Sequence, residues 1–171
     1  EKAVEKVDAV MKELTFDAHH LHLEISESTL MRDAPAGLTL LHRFNDLGVT
    51  LSMDNFGTGY SSLSYLNRFP IDAIKIDRSF IQDTPNDAEA VAITRTIIAM
   101  GHALNLKVVA AGVESAGQVS FLRRARCDIL QGYRFSQGVS AEEFSKLLTE
   151  NQKTGSLFPE TDGSDRLHLV G

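Results

Sequence analysis

The chain has 171 residues, 43% of them hydrophobic, enough for one core and too few for two ordinary domains. A formal charge of -6 gives no basic surface to neutralise phosphates, so polymeric nucleic acid is not an expected partner, and no apolar run reaches the ~18 residues of a membrane span. The start EKAVEKVDAVMKEL lacks the regions of a signal peptide and the single cysteine, Cys127, has no intramolecular disulfide partner, so the expected setting is the cytoplasm.

The spacing of Val4, Val7, Val10, Met11 and Leu14 predicts an amphipathic helix over residues 1–14. In LHLEIS the apolar Leu21, Leu23 and Ile25 alternate with His22 and Glu24, the period of a strand. A helix carrying Leu38, Leu41 and Phe44 follows, with Gly48 as its stop signal. VTLSMDN is read as the second strand, leading through the glycine-containing loop FGTGYSSLSYL into a short helix. AIKID is the third strand, entered from Pro70, which holds Phe69 extended. A long helix from Ala88 to Leu104 presents Val91, Ile97, Ile98 and Leu104, and LKVVAAG then reads as a fourth strand buried on both faces. A helix around Gln118 to Arg124 precedes a fifth short strand near DILQGY, and AEEFSKLLTE forms the last helix. The domain is thus assigned to residues 1–150, with the polar, turn-rich residues 151–171 as a flexible tail.

Strict alternation of strands and helices argues for an α/β fold, a parallel sheet with helices outside it, either a barrel or an open doubly wound sheet. No strand is followed by GxGxxG or GxxxxGK[ST], so the dinucleotide and P-loop readings lack their phosphate cradle. In a barrel the chemistry sits at the carboxyl ends of the strands, where this chain has Glu24, Asp54 with Asn55, Lys75 with Asp77, and Gln131. Carboxylates and a lysine converging there suit a divalent cation and a phosphate ester. Lys75, flanked by Ile74 and Ile76, is read as pointing into the barrel. The adjacent His19 and His20 diverge, and with His22 are read as surface residues rather than zinc ligands. Cys127 is read as a small buried residue, since no histidine lies near it in sequence.

The segments LEISES, MDNFGTGYSSLSYL, IKIDRSFI, VVAAGVES and CDILQGYRFS, in this order and spacing, resemble the EAL family of bacterial cyclic-di-GMP phosphodiesterases from about Leu21 to Leu148. The resemblance implies a modified (β/α)8, TIM-barrel-like domain. Its mouth holds two Mg2+ or Mn2+ ions, which activate a water to cut one phosphodiester of cyclic-di-GMP and give pGpG. It assigns Glu24 and Asp54 as metal ligands, Glu27 as the anchor of the loop after the second strand, and Lys75 as the lysine near the attacking water. Gln131 matches a glutamine that hydrogen-bonds within the active site; Asp77, Gln131 and Tyr133 fall at substrate-binding positions.

Departures from the family pattern accompany these matches. Asn55 stands where the family has the second of two aspartates, and Ala111 where it has the glutamate of AEGVE. Glu114 lies three residues beyond Ala111 and is not expected to replace that glutamate. The strands carrying the EAL signature and an asparagine ligand are absent from the sequence, so about the last five βα units of the barrel are expected. Of the anionic ligands only Glu24 and Asp54 remain, and Mg2+ or Mn2+ binding is expected to be weak or absent. The function expected is therefore a cyclic-di-GMP signalling domain with a damaged two-metal site, inactive in catalysis and acting as a regulatory, binding or interaction module. The alternative is an active phosphodiesterase whose missing strands and ligands come from an upstream segment or a partner chain. Five parallel strands leave two unpaired edges, so a homo-oligomer or association with another signalling domain is expected.

Overall fold

The computed structural model describes residues 2–59 and 63–154. The first helix, α1 (Lys2–Leu14), buries Val4 and Met11, whereas Val10 and Leu14 remain 52% and 67% exposed, so only one edge of its apolar stripe is packed. A 3-10 turn at Ala18–His20, capped by the Asp17 carboxylate, leads into β1 (His22–Ser26). The next helical stretch is two helices, α2 (Glu27–Arg32) and α3 (Ala34–Asn45). Asp33 divides them because its carboxylate accepts the N–H of Ala36 at 3.1 Å, and Pro35 sits in the first turn of α3, where its missing N–H costs nothing. Gly48, at φ 84°, turns the chain into β2 (Thr50–Phe56).

Beyond the loop after β2 come α4 (Leu63–Leu66), β3 (Ala73–Ile76), the single turn α5 (Arg78–Ile81) and the long α6 (Ala88–Ala103). The chain continues through β4 (Lys107–Ala111), α7 (Ala116–Arg124), β5 (Ile129–Gln131) and α8 (Ala141–Thr154). Of the tail, residues 155–171 lie outside the described residues, as do Tyr60, Ser61 and Ser62 of the glycine loop.

All five strands are parallel and lie in sequence order, β1-β2-β3-β4-β5, so among the described residues the sheet is open at β1 and β5. This is the α/β arrangement of an incomplete TIM-type barrel. One face carries Leu51, Met53, Ile74, Ile76, Val108 and Ala110, all buried against the helices together with Leu30, Leu41, Ile81, Ile98 and Leu122. Alternate residues, among them Glu24, Asp54, Lys75, Ala111 and Gln131, point the other way. The fourth strand is consequently not buried on both faces: Val108 and Ala110 are buried, Val109 and Ala111 half-buried and Lys107 exposed. Its unbroken apolar run reflects small and branched side chains on the uncovered face.

At the opposite end of the sheet two aspartates close gaps in the ladder. Asp72, just before β3, accepts the N–H of Leu51 at 2.8 Å, and Asp128, just before β5, accepts that of Val108 at 2.8 Å. Among the described residues no helix is long and apolar enough to cross a membrane.

Candidate ligand site at the carboxyl ends of the strands

The parallel register sets Ser26 of β1 level with Asp54 of β2, and Glu24 level with Ser52. Lys75 of β3 reaches across: its Nζ donates to Glu24 Oε2 at 2.7 Å and lies 3.9 Å from Asp54 Oδ1. The Lys75 side chain is only 12% exposed and Glu24 48%, so the ammonium sits at the base of the group and one carboxylate opens to solvent. Two carboxylates against one ammonium leave one net negative charge. Next to Asp54, Asn55 is exposed with φ 55°, a left-handed conformation that asparagine adopts more readily than most residues. Its carbonyl accepts the Thr58 hydroxyl at 2.9 Å, while its side chain takes no part in the Lys75 group.

The loop after β2 is held from below. Glu27, at the start of α2, is fully buried, and its Oε2 accepts the N–H of Gly57 at 2.8 Å. Gly59 passes so close that a Cβ there would lie 2.8 Å from Glu27 Oε1. Gly57, at φ 96°, likewise leaves no room for a Cβ, which would meet the Phe80 ring at 2.8 Å.

The other residues expected at the site lie along the same rim without joining the Lys75 group. Ala111 and Gln131 are register partners at the ends of β4 and β5; Gln131 is exposed and Tyr133 is 67% exposed. Asp77 caps α5, with Oδ1 accepting the N–H of Ser79 at 2.9 Å and Oδ2 left outside that bond. Glu114 is turned to Arg78, 3.1 Å away, and does not approach the Lys75 group.

Two rim residues were not foreseen from sequence, Arg78 and Gln118. The second had a legible signal, since Ser115-Ala-Gly-Gln118 is a capping box and both of its bonds form. Among the described residues no three His, Cys, Asp or Glu side chains are grouped to hold a metal ion. The Cys127 thiol donates to the carbonyls of Val108 and Ile129, and burial pushes its pKa up to about 12. It is therefore a poor nucleophile.

Acids and a lysine at the carboxyl ends of consecutive parallel strands stand where a TIM-type barrel places its ligand site, which makes this rim the candidate. Residues 1–138 match the EAL domain family, and the chain belongs to that family. It is 46% identical over 144 residues to the cyclic di-GMP phosphodiesterase NbdA of Pseudomonas aeruginosa, a match covering 82% of this chain and 18% of that protein. The chain spans about a fifth of the length of the curated relatives it matches. Among solved structures, the c-di-GMP complex of the PaMucR phosphodiesterase superposes with a TM-score of 0.80 at 45% identity, over 82% of this chain and 57% of that one. A manganese and cyclic di-GMP complex of Klebsiella pneumoniae BlrP1 superposes with a TM-score of 0.74 at 27% identity, over 80% of this chain and 35% of that one.

Proposed function

We propose that this chain is a cytoplasmic cyclic-di-GMP-recognising EAL domain whose two-metal site is damaged, so that by itself it binds the dinucleotide without hydrolysing it and acts as a regulatory or interaction module. The observation that carries this reading is the Lys75–Glu24 ion pair at 2.7 Å, set beside a rim where Asn55 and Ala111 supply no charge. Hard divalent cations are held mainly by anionic oxygens, and two ions about 3.5–4 Å apart require several. Here two carboxylates face the position, one of them already bonded to an ammonium. That donor set does not fit a pair of Mg2+ or Mn2+ ions, and no hydrolytic step follows from it.

Recognition makes lighter demands. The Lys75 ammonium has donors beyond the one given to Glu24 and suits a phosphodiester oxygen. The second carboxylate oxygen of Asp77, Oδ2, is an acceptor for the N–H edge of guanine, and the exposed Gln131 and Tyr133 add an amide and an aromatic face for stacking. The solved PaMucR and BlrP1 relatives are complexes with the same dinucleotide, which favours this ligand over other phosphate esters.

Calorimetric titration of the folded chain with cyclic-di-GMP in EDTA tests the binding half of the reading. Saturable heat by high micromolar ligand is expected; its absence removes the proposal.

A further inference from the structure

The amide of Gln118, 4% exposed, joins the cap of α7 to the end of α5, reaching Ile81, 37 residues earlier in sequence. Its Oε1 accepts the N–H groups of Glu114 and Ser115 at 2.7 and 2.8 Å, and its Nε2 donates to the carbonyls of Ile81 and Gln82 at 3.1 and 3.3 Å. The amide's two donors and its acceptor are thereby all engaged. The first two contacts belong to the cap of α7. The other two do not: they tie that cap to the end of α5.

A single helical turn such as α5 has no stability of its own and lies where its neighbours hold it. Besides Gln118, the Thr94 hydroxyl donates to the Phe80 carbonyl at 3.0 Å, and Arg78 pairs with Glu114 at 3.1 Å. Arg78 also lies over Gly112, at φ 77°, where a Cβ would meet its Cγ at 2.5 Å. The Arg78 pair is open to solvent and contributes little, so of the two ties between α5 and the segment after β4 the buried amide is the stronger. Asp77 is the N-cap of this turn, and the setting of α5 therefore decides where its carboxylate stands.

We propose that Gln118 is a positioning residue for the dinucleotide: through Ile81 and Gln82 it fixes α5, and with it Asp77, against the loop after β4. The inference rests on the reading of this rim as the cyclic-di-GMP site. Its test uses the whole chain with Gln118→Glu, which keeps the acceptor and the capping box but turns an oxygen, in place of two N–H donors, toward the carbonyls. Gln118→Met, lacking donors without adding charge, is the second variant. Deuterium exchange without ligand should rise about tenfold at residues 78–82 in both variants, and dinucleotide affinity should fall about tenfold, the scale of one buried and one partly buried hydrogen bond lost together. In Gln118→Glu, residues 116–124 should exchange as in the wild type. A purely capping residue predicts instead that Gln118→Glu leaves exchange at 78–82 and affinity unchanged. That result, with the wild type binding normally, overturns the inference. A wild-type chain that does not bind the dinucleotide overturns the reading of the site instead.

Discussion

Lys75 donates its ammonium to Glu24 at 2.7 Å from two strands away, although 51 residues separate them in sequence. The same ammonium lies 3.9 Å from Asp54, so the remaining acids are held around a cation the chain itself provides. The pair is half open to solvent, and its worth is mainly in arranging the rim rather than in stability.

Adding acids to this rim should raise its metal affinity. Asn55→Asp combined with Ala111→Glu adds two anionic groups near Asp54 and the end of β4, and Mn2+ affinity should rise at least about tenfold, read from the free-ion signal in electron paramagnetic resonance. Asn55 holds φ 55°, so the aspartate should cost under about 1 kcal/mol in folding. An unchanged Mn2+ signal in the folded double variant would show that carboxylate charge at these two positions does not limit metal binding.

The two faces of the sheet explain what sequence revealed. Strands β1, β2 and β3 were legible because polar residues interrupt them at the positions that now form the rim, Glu24, Asp54 and Lys75. The β4 alternation was hidden, since Val109 and Ala111 on the open face are as apolar as Val108 and Ala110 on the packed one. The single turn α5 was missed because four residues are too few for a helical period to register, and the break at Asp33 because an N-cap and a proline read equally well as a loop. In α1, Val10 and Leu14 fit the periodicity yet stay 52% and 67% exposed among the described residues. The family resemblance implied Glu27 as the anchor of the loop after β2, where its carboxylate accepts the Gly57 N–H, whereas the tie between Gln118 and Ile81 depends on a contact between distant segments that no local pattern encodes.

The loop after β2 should tolerate no side chain at its tightest point. Gly59→Ala places a methyl 2.8 Å from a buried carboxylate oxygen and should lower stability by about 1–3 kcal/mol in urea unfolding. Gly117→Ala, in α7, meets nothing nearer than 3.5 Å and should raise it by up to about 1 kcal/mol. Equal effects would mean that Glu27 does not hold the loop in solution.

Cys127 gives the chain an alkaline limit. The thiol ionises near 9.0 when free and about 12 when folded, because burial penalises the thiolate. Above about pH 9 the unfolded chain releases this proton and the folded chain retains it, so stability should fall as pH rises from 9 toward 12. The fall should be smaller in Cys127→Ala, compared by denaturant titration across that range. Below pH 9 the residue should add no pH dependence; identical profiles above it would contradict the assigned burial.

Among the described residues β1 and β5 are unpaired sheet edges and Phe144 and Leu148 on α8 are each 41% exposed, features that favour association. Sedimentation should give a mass above 18.8 kDa that grows with concentration and declines in Phe144→Asp. A sharp monomer at every concentration would count against it.

Incubating the folded chain with cyclic-di-GMP and Mn2+, followed by chromatography for pGpG, tests most directly whether binding has been separated from hydrolysis. Intact dinucleotide after prolonged incubation is the result expected of two carboxylates paired with one lysine. Formation of pGpG by the wild type, abolished in Lys75→Ala, would contradict it.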